Sequence, residues 1–219
     1  MGVPVLILGR SGSGKSTSLR NFKPDEVVVF NVAGKPLPFR GKLPTAQRPD
    51  YAAIVHSLQA NKHKCYVIDD ANYLMAFQSF ALANQKGYDK FTHMAVDFES
   101  LLEAALSTDA DTTVYFLMHP EADESGYLKP KTIGKMLDNQ LCIEGLFSVV
   151  LIAGRDNSGY YFQTQTSGND PAKSPLGMFD GERIDNDLRA VDDTLRAYWG
   201  LSGRKAKKAK TSEKETDNA

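Results

Sequence analysis

Residues 9–16 read Gly-Arg-Ser-Gly-Ser-Gly-Lys-Ser, and Thr17 follows. Glycines at these intervals let the chain turn its backbone N–H groups inward around a small concave space, which suits phosphate oxygens. The lysine brings a full positive charge to the same place, and the hydroxyl after it is a ligand for Mg²⁺. Gly9, Arg10, Ser11, Gly12, Ser13, Gly14, Lys15, Ser16 and Thr17 therefore have the chemistry to hold nucleotide phosphates with their metal. With glycine near ~7% of residues, the pattern arises by chance in roughly 1% of chains this long. Its setting sharpens the signal. The apolar run VPVLIL (3–8) precedes it, and STSLRNF follows, where a helix is expected to add free N–H donors and a positive dipole end.

Phosphate chemistry of this kind needs a carboxylate at the end of a second buried strand. CYVIDD (65–70) supplies two. Asp69 is expected in the Mg²⁺ shell. Asp70 is expected either to orient or activate an attacking water or to cap a helix beginning near Ala71. The run VYFLMHPE ends in His119, at the carboxyl end of another strand, where open α/β sheets bind ligands. His119 reads as a hydrogen-bonding reporter on the γ-phosphate or as a structural residue, and Glu121 is a weaker candidate beside it.

The elements that must position these residues follow from hydrophobic spacing. Strands are expected at 3–8, 26–30, 65–70, 112–120 and 147–153, with helical spacing at Ile54, Val55 and Leu58, around Leu74, Phe77 and Ala81, and from Met94 to Ala105. The alternation is βαβα, which gives a mainly parallel sheet covered by helices on both faces. YYFQTQT (160–166), after the turn residues 155–159, pairs with the fifth strand as a hairpin. A loop rich in Gly, Pro and Asn (167–181) leads to a last amphipathic helix through Leu188, Val191, Leu195 and Tyr198, closed by Gly200. The fold class is α/β.

A chain of 219 residues, 42% hydrophobic, is large enough for one core. Residues 1–201 are expected to form it, with 202–219 a disordered basic tail. Six Lys/Arg against three acids leave residues 204–219 at +3, and 20 basic against 24 acidic residues leave the body at −4. The tail run RKAKKAK is either a solvated end or a tether to phosphate backbones. No apolar run approaches the ~20 residues of a membrane span, so a soluble intracellular protein with no membrane partner is expected. Cys65 and Cys142 lack CxxC spacing and read as buried free thiols.

Beyond the glycine-rich loop, NVAGKPLPFRG (31–41), GYDKFT (87–92), KTIGKMLDNQLCIEGLF (131–147), AKSPLGMFD (172–180) and IDNDLRAVDDTLRAY (184–198) resemble the small phage-encoded RecA-like P-loop ATPases, including the single-strand annealing proteins of the fourth Sak group. The resemblance covers nearly all of residues 3–199. It implies a RecA-like core with strand order 5-1-4-3-2, ATP and Mg²⁺ as cofactors, single-stranded DNA binding, and annealing or recombination in the host cytoplasm. It also implies a homo-oligomer, ring or filament, and a phage single-strand-binding or replication protein as a further partner. The family's catalytic base is a glutamate just after the second strand, whereas this chain has Asn31-Val32-Ala33-Gly34. Either Asp70 substitutes or hydrolysis is slow. DNA contacts are expected in loops after the later strands, at Tyr127, Lys129, Lys131 and Lys135 and at Lys173. Lys131, Lys135 or Arg155 could alternatively serve a neighbouring subunit's γ-phosphate. Two other readings stay open: a P-loop small-molecule or nucleotide kinase, and a non-catalytic nucleotide-gated adaptor.

Overall fold

The computed structural model describes residues 1–134 and 141–204. Five buried strands form the centre of an eight-stranded sheet: β1 (Val3–Leu8), β2 (Val28–Asn31), β4 (Cys65–Asp69), β5 (Thr113–Met118) and β8 (Val149–Asp156). They lie side by side as β8-β1-β5-β4-β2, all parallel. The expected order 5-1-4-3-2 is the order observed. Each strand reads as a continuous apolar run because both of its faces are covered. Leu6 and Leu8 pack with Phe30, Ile68 and Phe116 on one face; Val5 and Ile7 pack with Val29, Val67 and Leu117 on the other.

Helices α1 (Tyr51–Ala60), α2 (Asn72–Ala81) and α3 (Asp89–Leu106) cover the first face, burying Leu58, Met75, Phe98 and Leu101 among others. Helix α4 (Leu188–Trp199) covers the second with Leu188, Val191 and Leu195. Its ends are legible in the residues. The Asp187 carboxylate accepts from the N–H groups of Arg189 and Ala190, and Gly200 closes it in the left-handed conformation. Asp50 caps α1 in the same way, by accepting from the Ala53 N–H.

The hairpin is present as β8 against β9 (Gly159–Gln163), extended by the antiparallel β10 (Arg183–Asp185). Three short elements carry no apolar run and escape a sequence reading. They are the edge strand β3 (Thr45–Gln47) and the two-stranded ribbon β6 (Pro120–Ala122) with β7 (Leu128–Pro130). After the glycine-rich loop there is no α-helix, only a 3₁₀ turn over Ser16–Asn21, so the expected helix with its dipole end is replaced by one short turn. Cys65 is buried, but Cys142 is exposed: in its 3₁₀ turn Ile143 and Phe147 are the side chains that point inward.

The body continues past the boundary expected at Ser202. The Ser202 N–H donates to Asp111, and Arg204 is buried against Asp192, Asp193 and Glu26. Residues 205–219 lie outside the described residues. No helix of the described residues is long and apolar enough to cross a membrane.

Candidate functional site

Parallel register decides what meets at the carboxyl edge of the sheet. Leu8 stands level with Met118 and Ile152, and Asn31 stands level with Asp69. The residues that follow, Gly9, His119 and Asp70, therefore emerge at one edge from strands far apart in the chain.

The 9–17 loop is shaped by its glycines. Gly12 and Gly14 have φ of +77° and +95°, values that an L side chain resists. A Cβ on Gly9 would lie 2.3 Å from the Ser13 hydroxyl and 2.9 Å from the Ala153 carbonyl oxygen. The Ser13 hydroxyl is buried without a hydrogen-bond partner among the described residues. Lys15 is buried, and its Nζ donates to the carbonyls of Gly9 (2.6 Å) and Arg10 (3.3 Å). Burial lowers its pKa, against the attraction of Asp70 and Asp69.

The Ser16 hydroxyl donates to Asp69 Oδ1 at 2.9 Å, joining the loop to the end of β4 across the intervening β5. The two side chains form a pair of hard oxygen ligands beside a lysine. That set suits Mg²⁺, which commonly takes one or two protein oxygens and completes its shell from phosphates and water. Asp69 is 4% exposed. Burial, then the neighbouring Asp70, push its pKa up to about 6, against the Ser16 hydrogen bond and the charges of Lys15 and Lys35.

Asp70 does not cap α2 with its side chain. It leaves β4 in the left-handed region, φ +60°, and its carboxylate faces the Lys35 ammonium and the His119 ring. Oδ2 lies 2.7 Å from Lys35 Nζ and Oδ1 3.3 Å from His119 Nε2. Burial alone would raise its pKa, but the hydrogen bonds from His119 and Lys35 and the Lys35 charge outweigh it and hold Asp70 at about 2. His119 is held from behind. Its backbone N–H donates to Asn72 at the start of α2, and its ring meets the Tyr73 ring edge to face at a centroid distance of 5.9 Å.

Lys35, Asn72 and Asn31 were not legible as site residues. Asn31 builds the turn that delivers Lys35: its amide donates to the Lys35 carbonyl at 2.5 Å and its side-chain oxygen accepts from Gly34 N–H. The Asn31…Gly34 turn pairing was the available signal. Just after β2, where the resemblance implies a glutamate base, the chain presents Lys35.

Two clefts flank Arg10 and Ser11. One, of about 390 Å³, is shared with Arg155 and Tyr161 of the hairpin. The other, of about 480 Å³, is shared with Tyr73, Phe80, His119 and Lys131. Of the residues expected to contact DNA, only Lys131 lines either cleft, among the described residues. Lys129 pairs with Glu121 across the β6–β7 ribbon, Lys173 is held in a backbone bridge to Val150, and Tyr127 stands near Glu144, Asp170 and Asp123. Lys135 lies outside the described residues.

No protein-family model matches this chain, and neither does any curated protein.

Proposed function

We propose that this chain is a RecA-like ATPase that binds Mg·ATP at the 9–17 loop and hydrolyses it slowly. On this reading it binds single-stranded DNA, as an oligomer, and promotes annealing or recombination in phage DNA metabolism, hence in the host cytoplasm. The observation that carries the reading is the 2.9 Å contact of Ser16 with Asp69, beside Lys15, between residues 53 positions apart. The strand order β8-β1-β5-β4-β2 agrees with the order the family resemblance implies.

The reaction is in-line attack of water on the γ-phosphorus, with a new P–O bond formed, the bond to the β–γ bridging oxygen broken so that ADP leaves, and the water proton passing to an oxygen of the transferred phosphate. Lys15 exchanges its two backbone carbonyls for phosphate oxygens and supplies charge where it develops. Ser16 and Asp69 would hold Mg²⁺, which neutralises phosphate charge when bound. Asp70, with its pKa near 2, is a weak proton acceptor, and it serves to position His119 and Lys35 toward the γ-phosphate. Residues 31–34 offer no carboxylate to replace it. The same feature favours a second reading, a nucleotide-gated adaptor in which ATP is bound but scarcely turned over.

ATP turnover by the full chain with Mg²⁺, measured without DNA and with single-stranded or duplex DNA, separates the two. Stimulation by single strands, lost in Lys15→Ala, is the expected result. Tight ATP binding with no turnover under any condition would replace the ATPase with the adaptor, and retained ATP affinity in Lys15→Ala would overturn both.

A further inference from the structure

Helix α2 presents an aromatic ridge whose first ring, Tyr73, packs on the core while Phe77 and Phe80 stand exposed. Tyr73 and Phe77 are stacked at 5.6 Å, and Phe80, one turn further on, is 79% exposed. An apolar ring held in water at the mouth of a cleft marks a contact surface. The cleft that Phe80 and Tyr73 share with Arg10, Lys131 and His119 has no carboxylate among its described lining residues. The larger cavity between α1, α2 and α3, about 590 Å³, sets Asp50 and Asp97 against Arg48 and so offers a polyanion no net positive charge.

We propose that this cleft is the seat of the single strand: a base stacks on Phe80 while adjoining phosphates are neutralised by Lys131 and Arg10. The proposal rests on the single-strand reading given above and deepens it by assigning the path. Exposed aromatic faces beside cations, with no fixed base-edge donors or acceptors required, are the chemistry of sequence-tolerant single-strand binding. The assignment shifts the contact surface away from Tyr127, Lys129 and Lys173. It also gives DNA and nucleotide a common wall, since Arg10 and Ser11 belong to the phosphate loop and His119 contacts Asp70. A strand seated here therefore changes ATP affinity, and ATP changes strand affinity by the same factor.

The test is fluorescence anisotropy with a labelled oligothymidylate and the full chain, with labelled-ATP binding and light scattering measured in parallel. Phe80→Ala, whose ring packs little, is expected to fold and to bind ATP in the absence of DNA as the parent does. Its strand affinity should fall roughly 5- to 100-fold, the range for one lost stacking contact, and Phe80→Trp should restore it. Lys131→Gln should lower the salt slope of binding by about 1. Strand binding that is undiminished in Phe80→Ala and Lys131→Gln would overturn the path and leave the DNA reading standing. ATP binding with no strand binding by the parent chain would overturn both. A lower oligomeric mass in Phe80→Ala with unchanged strand affinity would assign the ridge to a second copy of the chain and also overturn the proposal.

Discussion

Lys35 Nζ lies 2.7 Å from Asp70 Oδ2, although one residue lies beyond β2 and the other directly follows β4. The pair depends on two local conformations: a turn built by the Asn31 side chain, and the left-handed backbone of Asp70 that aims its carboxylate across the strand ends. The lysine is 63% exposed while the carboxylate is 4% exposed. The buried partner is thus the anchor, and the exposed one can reach a ligand.

Because a half-solvated ion pair contributes little to stability, Lys35→Ala should shift unfolding by less than about 1 kcal/mol. Turnover of ATP should drop roughly 10-fold or more if its charge meets the γ-phosphate. Asp70→Asn should still fold, since asparagine tolerates the left-handed region, and should lower turnover in parallel. Thermal melts beside single-turnover assays read both effects.

Asp69 lowers stability where it is ionised. A carboxyl whose folded pKa is raised to about 6 opposes folding once ionised, so its penalty grows as pH climbs from about 4 and is complete above 6. Asp69→Asn should therefore be more stable than the parent by about 1–3 kcal/mol at pH 8, with the gain vanishing below pH 4, while ATP turnover is lost. Urea unfolding at several pH values without nucleotide checks the sign.

Gly14→Ala meets two obstacles of different kinds. A new Cβ would stand 2.7 Å from a carbon of the Tyr160 ring, and the backbone at φ +95° is strained for any L residue. A cost of about 1–2 kcal/mol is expected, with weakened nucleotide binding. Adding Tyr160→Ala should recover the steric part alone, because the backbone strain is independent of the ring.

Glu26 sets a limit on acid stability. The hydrogen bond from Arg189 outweighs burial and holds it at about 2. A depressed carboxyl contributes in full above its ordinary value near 4.5 and loses that contribution as pH falls toward 2. Glu26→Gln should be less stable than the parent at pH 7, with the gap closing between pH 4.5 and 2 in chemical denaturation.

Much of the molecule was written locally. The doubly apolar runs at 3–8, 65–70 and 113–118 can be satisfied only by strands covered on both faces, and helical spacing placed α1, α3 and α4, so a parallel α/β sheet followed from periodicity alone. The glycines and Lys15 of the 9–17 loop were equally legible, because backbone conformation and charge there are properties of adjacent residues. What tertiary structure decided were the meetings at a distance. Strand register, not spacing, brought Ser16 to Asp69 and Lys35 and His119 to Asp70, and it left Lys129 tied to Glu121 while, among the described residues, Lys131 alone of the expected lysines reached a cleft. Arg204 reads as part of a solvated tail beginning at 202, but its guanidinium pairs with the fully buried Asp192 carboxylate, so Arg204 is held in the body. Periodicity reports which face a residue presents. It carries no information about which other face it will meet, since that is set by the order and register in which the strands assemble.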